Sequence, residues 1–232
     1  MLFLYKILIN FTLIISPVII IFRIIKKKED PKRFFERYSL PSKKRKSGKL
    51  IWFHGSSVGE ILSIIPLIEI LERDKNVNQI LLTSNTLSSS KVFEKLKLKK
   101  TTHQFFPIDS EIIINSFINY WKPSLVFFVE SEIWPNTINI LDKKRIKKIL
   151  INARITKKSF NNWKLIKKFS YSLFSKFQCC LSQNNETTNY LKKLGGKNIK
   201  KIGNLKFSER SYKMKNKISE HKFNYLKSKK IL

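Results

Sequence analysis

From residue 49 onward, short apolar runs alternate with amphipathic ones, and this alternation limits the fold more than any other feature of the chain. Strands are predicted at 49–54, 79–83, 102–106, 124–129, 146–151, 177–181 and 198–202, and helices at 59–73, 88–97, 111–120, 134–141, 159–176 and 185–194. Apolar runs of five or six residues joined by helical segments form βαβ units, and strands buried on both faces belong to a parallel sheet. The expected fold is therefore one doubly wound α/β domain. Right-handed crossovers place the strand C-termini and the loops after them on a single rim.

The stretch LIWFHGSSVGE at 50–60 shows what that rim can do. A buried strand ends at His54, Gly55, Ser56 and Ser57 make a tight turn, and Gly59 and Glu60 open a helix. A helix N-terminus after such a turn suits an anion or a reacting group. Glu60 falls in the first helical turn, where the dipole favours its ionised form. Position alone leaves two roles open for it, a helix cap or a general base.

The remaining strand ends are also polar. TSNTLSSS at 83–90 can cap a helix and bind phosphate or sugar. PID at 107–109, ESEIWPN at 130–136, Asn152, Ala153 and Arg154, Ser182 and Gln183, and GNLK at 203–206 follow the later strands. Each is weak alone, and their convergence on one edge is the stronger signal. Glu130 ends an apolar run and needs a partner, with Arg154 and Lys206 as candidate cations. A structural ion pair satisfies that need as well as a catalytic one. Trp134-Pro135 reads as a helix start with Trp134 in the core. G-x-G-x-x-G, G-x-S-x-G and Walker A patterns are absent, which argues against a nicotinamide dehydrogenase, an α/β-hydrolase and a P-loop enzyme.

Residues 2–25 are apolar, interrupted by Lys6, Asn10 and Pro17, and are followed by Arg23, Lys26, Lys27, Lys28, Lys32 and Arg33. No small-residue cleavage site follows them. They are expected to span a membrane once or to lie in its inner leaflet, with the basic flank cytoplasmic. A buried core helix is the remaining alternative. Residues 26–48 are expected to be a loose, solvated basic linker, and 208–232 a Lys-rich tail. The 47 Lys+Arg against 16 Asp+Glu give a formal charge of +31, which favours anionic lipid or phosphorylated substrates. No aromatic-basic motif accompanies it, so no specific nucleic-acid contact is expected. Cys179 and Cys180 are adjacent in a strand and face opposite ways, giving no disulfide framework or metal cluster and fitting a reducing compartment.

Taken together, HGSSVGE at 54–60, TSNTLSSS at 83–90, FPID at 106–109, ESEIWPN at 130–136, NARITKKS at 152–159, Gln183 and GNLKF at 203–207 resemble the 3-deoxy-D-manno-octulosonic acid (Kdo) transferases. Two positions depart from the family's usual pattern, Leu87 where Pro is usual and Ser89 where Gly is usual. The resemblance implies a GT-B glycosyltransferase, with 49–207 as its Rossmann-like acceptor domain and 1–25 as its membrane anchor. It implies CMP-Kdo as donor, a lipid A precursor as acceptor, and an inner-membrane location facing the cytoplasm. It makes Glu60 the proton acceptor and Glu130 and Lys206 the transition-state stabilisers. Ser57, Gly59, Thr83, Thr86, Ser88 and Arg154 are the expected acceptor contacts, and no metal or other cofactor is called for. The chain ends where the donor domain of such enzymes is expected to begin, so little or no transfer is expected from it alone. The competing expectation is a non-catalytic, membrane-bound module that holds phosphorylated glycolipid.

Overall fold

The structure is a computed structural model and describes residues 1–206. Phe207 and the Lys-rich stretch 208–232 lie outside the described residues. The chain opens with α1 (Leu2–Ile25) and a 3-10 turn (Phe34–Tyr38). Then follow β1 (Leu50–His54), α2 (Val58–Arg73), β2 (Gln79–Ser84), α3 (Leu87–Glu94), β3 (Thr101–Phe105), α4 (Glu111–Trp121) and β4 (Leu125–Val129). The last elements are α5 (Pro135–Lys143), β5 (Lys147–Ala153), α6 (Lys157–Leu165), α7 (Lys167–Phe174), β6 (Cys179–Ser182), α8 (Asn185–Lys193) and β7 (Ile199–Lys201).

The seven strands form one parallel sheet in the order β3-β2-β1-β4-β5-β6-β7. The expected doubly wound, Rossmann-like α/β architecture is present, with an element at the place of each expected strand and of each expected helix but the one at 159–176. Successive side chains of β1 go to opposite faces. Ile51 and Phe53 join the cluster under α2, and Leu50 and Trp52 join the larger cluster under α4, α5, α7 and α8. Each fully buried Ile, Leu or Phe contributes about 1.5–3 kcal/mol, so both faces of the sheet drive folding. Strand order reverses at the β1/β4 pair, which opens a crevice outside their C-terminal ends.

The structure corrects two expectations. The helix expected at 159–176 breaks at Ile166, whose φ is −115° and ψ 44°. The break turns Trp163 of α6 onto Phe174 of α7, edge to face at 5.5 Å, so both pack on the same core. The stretch 26–48 is not a loose solvated linker. Glu29, Glu36 and Arg37 are buried. Glu36 accepts the Phe105 N–H at 2.6 Å, and Arg37 donates to Glu29 at 3.1 Å and to the Phe106 carbonyl at 3.1 Å. Charges that pair with one another and with backbone at the sheet edge can be buried where isolated ones cannot.

The α1 helix lies against this assembly. Its less exposed positions are 2, 5, 6, 9, 13, 16, 20, 23 and 24, recurring every three or four residues from end to end. Tyr5 donates to Asp109 at 2.7 Å, Lys6 pairs with Glu111 at 2.5 Å, Ser16 bonds the Tyr38 hydroxyl at 2.9 Å, and Arg23 pairs with Glu29 at 3.0 Å. Asp109 also accepts the Asn136 and Thr137 N–H groups at 3.0 and 2.8 Å, which caps α5.

Candidate active site

The site forms at the β1/β4 crevice. A Cβ at Gly55 would stand 3.3 Å from the Glu60 Cβ and 3.6 Å from a Val129 methyl, so the turn after β1 closes tightly on the start of α2. Ser57 is the N-cap of α2, and its hydroxyl accepts the Glu60 N–H at 3.4 Å. In return the Glu60 carboxylate accepts the Ser56 N–H at 2.8 Å and the Ser57 hydroxyl at 2.9 Å. This reciprocal arrangement is a variant of the capping box, the carboxylate reaching the N–H one residue before the N-cap. The cap role of Glu60 is thus realised, and it fixes the carboxylate at the rim without hiding it. Burial pushes the Glu60 carboxyl above the usual carboxylate range, and the negative charges of Glu132 and Glu130 push the same way. The Ser56 N–H and Ser57 hydroxyl oppose them without reversing the shift.

Glu130 follows β4 in a left-handed conformation, φ +56°. Non-glycine residues hold such a conformation at a cost of order 1 kcal/mol, supported by their surroundings. Its carboxylate pairs with the Lys206 ammonium at 2.6 Å. Of the two candidate cations, Lys206 is therefore the partner. Arg154 is exposed over β5, where its carbonyl accepts the Ser131 hydroxyl. A Cβ at Gly59 would lie 3.5 Å from the Lys206 ammonium, so Lys206 also covers the first turn of α2. Ser57, Gly59, Glu60, Glu130 and Lys206 accordingly share one place.

The hydroxyl-rich loop divides. Thr86 is exposed, caps α3 by accepting the Ser89 N–H at 3.2 Å, and shares a 2.6 Å contact with the Ser89 hydroxyl. Ser88 is exposed in the first turn of α3. Thr83 corrects the expectation that it touches an acceptor, because it is completely buried. Its hydroxyl accepts the Trp52 indole N–H at 2.8 Å and bonds His54 Nδ1 at 3.0 Å.

That buried hydroxyl leads to residues that sequence reasoning missed. His54 lies flat on Phe106 at 3.9 Å, and its Nε2 bonds Glu132 at 3.1 Å. Glu132, an acceptor only, also takes the Trp134 indole N–H at 2.8 Å. Nε2 therefore donates to Glu132. Burial works against the ionised Glu132, but the His54 and Trp134 contacts hold its carboxyl below the usual range. Trp134 packs on the core as expected and adds this polar anchor. Asn152, already placed on the rim by its position after a strand, is the second residue whose role was missed. It has φ +52° beside the register shift of β5, and its side-chain oxygen accepts the Leu205 N–H at 3.1 Å. Gln183 donates to the Asn152 carbonyl at 2.9 Å. This chain of contacts delivers Lys206 to Glu130. A polar residue closing an apolar strand was the available signal for both His54 and Asn152. Among the described residues, no three of His, Cys, Asp or Glu converge as metal ligands.

The arrangement can accept a proton at Glu60 and can balance negative charge at Lys206. A family model described as 3-Deoxy-D-manno-octulosonic-acid transferase (kdotransferase) matches residues 32–209. The 3-deoxy-D-manno-octulosonic acid transferase of Rickettsia bellii is 35% identical over 219 residues, 93% of this chain and 51% of that protein. Its Haemophilus influenzae namesake is 28% identical over 159 residues, 68% of this chain and 37% of that protein. The chain spans about half, or less, of the length of the curated relatives it matches. Among solved structures, UDP-GlcNAc 2-epimerase from Neisseria meningitidis bound to UDP-GlcNAc superposes with a TM-score of 0.52 at 13% identity, covering 78% of this chain and 53% of that one. An S. aureus MnaA–UDP structure gives 0.52 at 16% identity, covering 74% and 48%. These likenesses show the fold alone.

Proposed function

The chain belongs to the 3-deoxy-D-manno-octulosonic acid transferase family, and from that premise we propose that it is the acceptor half of an inverting glycosyltransferase that moves Kdo from CMP-Kdo to a lipid A precursor. The acceptor is met at the cytoplasmic face of an anionic inner membrane. Glu60 takes the proton of an acceptor hydroxyl. The oxygen forms its bond to the anomeric carbon of Kdo from the face opposite the nucleotide, and the bond from that carbon to the phosphate oxygen breaks, releasing CMP. Lys206 offsets charge on the departing phosphate, while Glu130 holds Lys206 and faces the electron-poor sugar carbon. Ser57, Gly59, Thr86, Ser88 and Arg154 line the approach of the phosphorylated acceptor, with Thr83 supporting from beneath.

One observation carries this reading. A carboxylate at the β1/β4 crevice, made more basic by burial and by Glu132 and Glu130, stands beside the Glu130–Lys206 pair. In a protein that joins this chain to a CMP-Kdo-binding donor half, Glu60→Ala should abolish incorporation of radiolabelled Kdo into acceptor lipid and leave the circular dichroism unchanged. Transfer at ordinary rates by that variant overturns Glu60 as base. The capping contacts of Glu60 favour a second reading, a non-catalytic module that binds phosphorylated glycolipid. It predicts lipid binding indifferent to Glu60 and no turnover with any donor.

A further inference from the structure

We infer that α1 does not cross the bilayer but lies in the plane of one leaflet, and that the α6–α7 corner beside its N-terminus is a second lipid contact. Neither part depends on the catalytic reading. One face of α1 is shaded by the domain along the whole length of the helix. A helix of 24 residues is about 36 Å long, enough to cross a hydrocarbon core. Crossing would require it to leave the domain or to take the domain along. Its ties to Asp109, Glu111, Tyr38 and Glu29 are spread from residue 5 to residue 23. Leaving breaks all of them, and taking them along puts two acidic pairs and the capped end of α5 into hydrocarbon, where unsolvated polar groups are strongly disfavoured.

The opposite face is built for lipid. At about 100° per residue, Leu4, Phe11, Val18 and Ile25 fall on the outward line of α1, while Asn10 and Thr12 fall on its flanks. All four outward residues are exposed, Val18 by 71%. The apolar surface continues beyond the helix. Leu165 is 85% exposed at the α6–α7 break, in a groove shared with Met1 and Leu2. Lys167 and Lys168 line the same groove, and Lys164 is the exposed residue before Leu165 in the chain. An apolar residue flanked by lysines beside an apolar helix face complements an anionic headgroup layer over acyl chains.

The test uses the full chain with Cys179→Ser and Cys180→Ala. A fluorophore is placed in turn through Leu4→Cys, Phe11→Cys, Val18→Cys and Ile25→Cys. Vesicles of phosphatidylethanolamine and phosphatidylglycerol carry nitroxide quenchers at shallow or deep acyl positions. An in-plane helix gives all four labels the same depth, quenched best by the shallow probe. Deep quenching at positions 11 and 18 with shallow quenching at 4 and 25 overturns the inference. So does shielding of the labels without vesicles together with a dimer mass by light scattering, which would make this face an interface between copies. Leu165→Asp should weaken partition into the same vesicles roughly tenfold with unchanged circular dichroism, because it withdraws an apolar side chain from the acyl layer and sets a negative charge against anionic headgroups. Unchanged partition removes the corner from the membrane surface.

Discussion

Replacing His103 by Gln should reduce the acid sensitivity of folding by about 2 kcal/mol between about pH 7.5 and about pH 5. His103 sits on β3 with its Nδ1 at 2.9 Å from Arg33 and its Nε2 at 2.8 Å from Ser84. Arginine only donates, so Nδ1 accepts and Nε2 carries the proton. Burial, then the charges of Arg33 and Arg37, depress its pKa to about 3 from an ordinary 6.5. Between those values the unfolded chain binds a proton that the folded chain refuses. Its contribution is complete above about pH 6.5 and is lost as the pH falls toward about 3, at about 1.4 kcal/mol per unit. Integrated from about pH 7.5 to about pH 5, that is about 2 kcal/mol. Urea unfolding of wild type and His103→Gln at both pH values, followed by tryptophan fluorescence in detergent, measures it. Because the other titrating groups are common to both proteins, the difference isolates His103. Equal acid losses in the two would refute the account of a neutral histidine wedged against arginines.

Three further outcomes are expected. Asp109→Ala should cost about 3 kcal/mol, by uncapping α5 and stranding the Tyr5 hydroxyl, and should expose the 26–33 stretch to protease; the thermal midpoint and a limited digest report it. Asn152→Ala should cost about 2 kcal/mol, combining a left-handed alanine with loss of the hydrogen bond from the Leu205 N–H to the Asn152 side chain, and should lower Kdo transfer in a protein with a donor half by loosening Lys206. The rate of transfer should rise with pH as Glu60 ionises, and Glu132→Gln should move that rise to lower pH by removing a negative charge beside it. An unmoved pH profile would confine Glu132 to holding His54.

The sheet was legible because its determinants are local. Five-residue apolar runs such as LVFFV of β4 name their own environment, and Ser57 with Glu60 names the start of α2. The rim was legible because right-handed crossovers bring distant loops to one edge. Long-range pairing escaped. His54 and Glu132 stand 78 residues apart, and nothing near either one names the other. Glu36 looked solvated because its partners include the Phe105 N–H, 69 residues away. Thr83 looked accessible because a hydroxyl in a polar run gives no sign that Trp52 and His54 close over it.

Asp109 binds two parts of the molecule at once, the free N–H groups that open α5 and the phenol of Tyr5 on α1. The seating of α1 and the cohesion of the globular part are thus joined through one carboxylate. By linkage, a surface that holds α1 in its docked position adds to the free energy that keeps the sheet folded, and pulling the helix away weakens a cap some hundred residues down the chain. Detergents that strip the helix from its seat should therefore lower the melting temperature, while those that leave it seated should not.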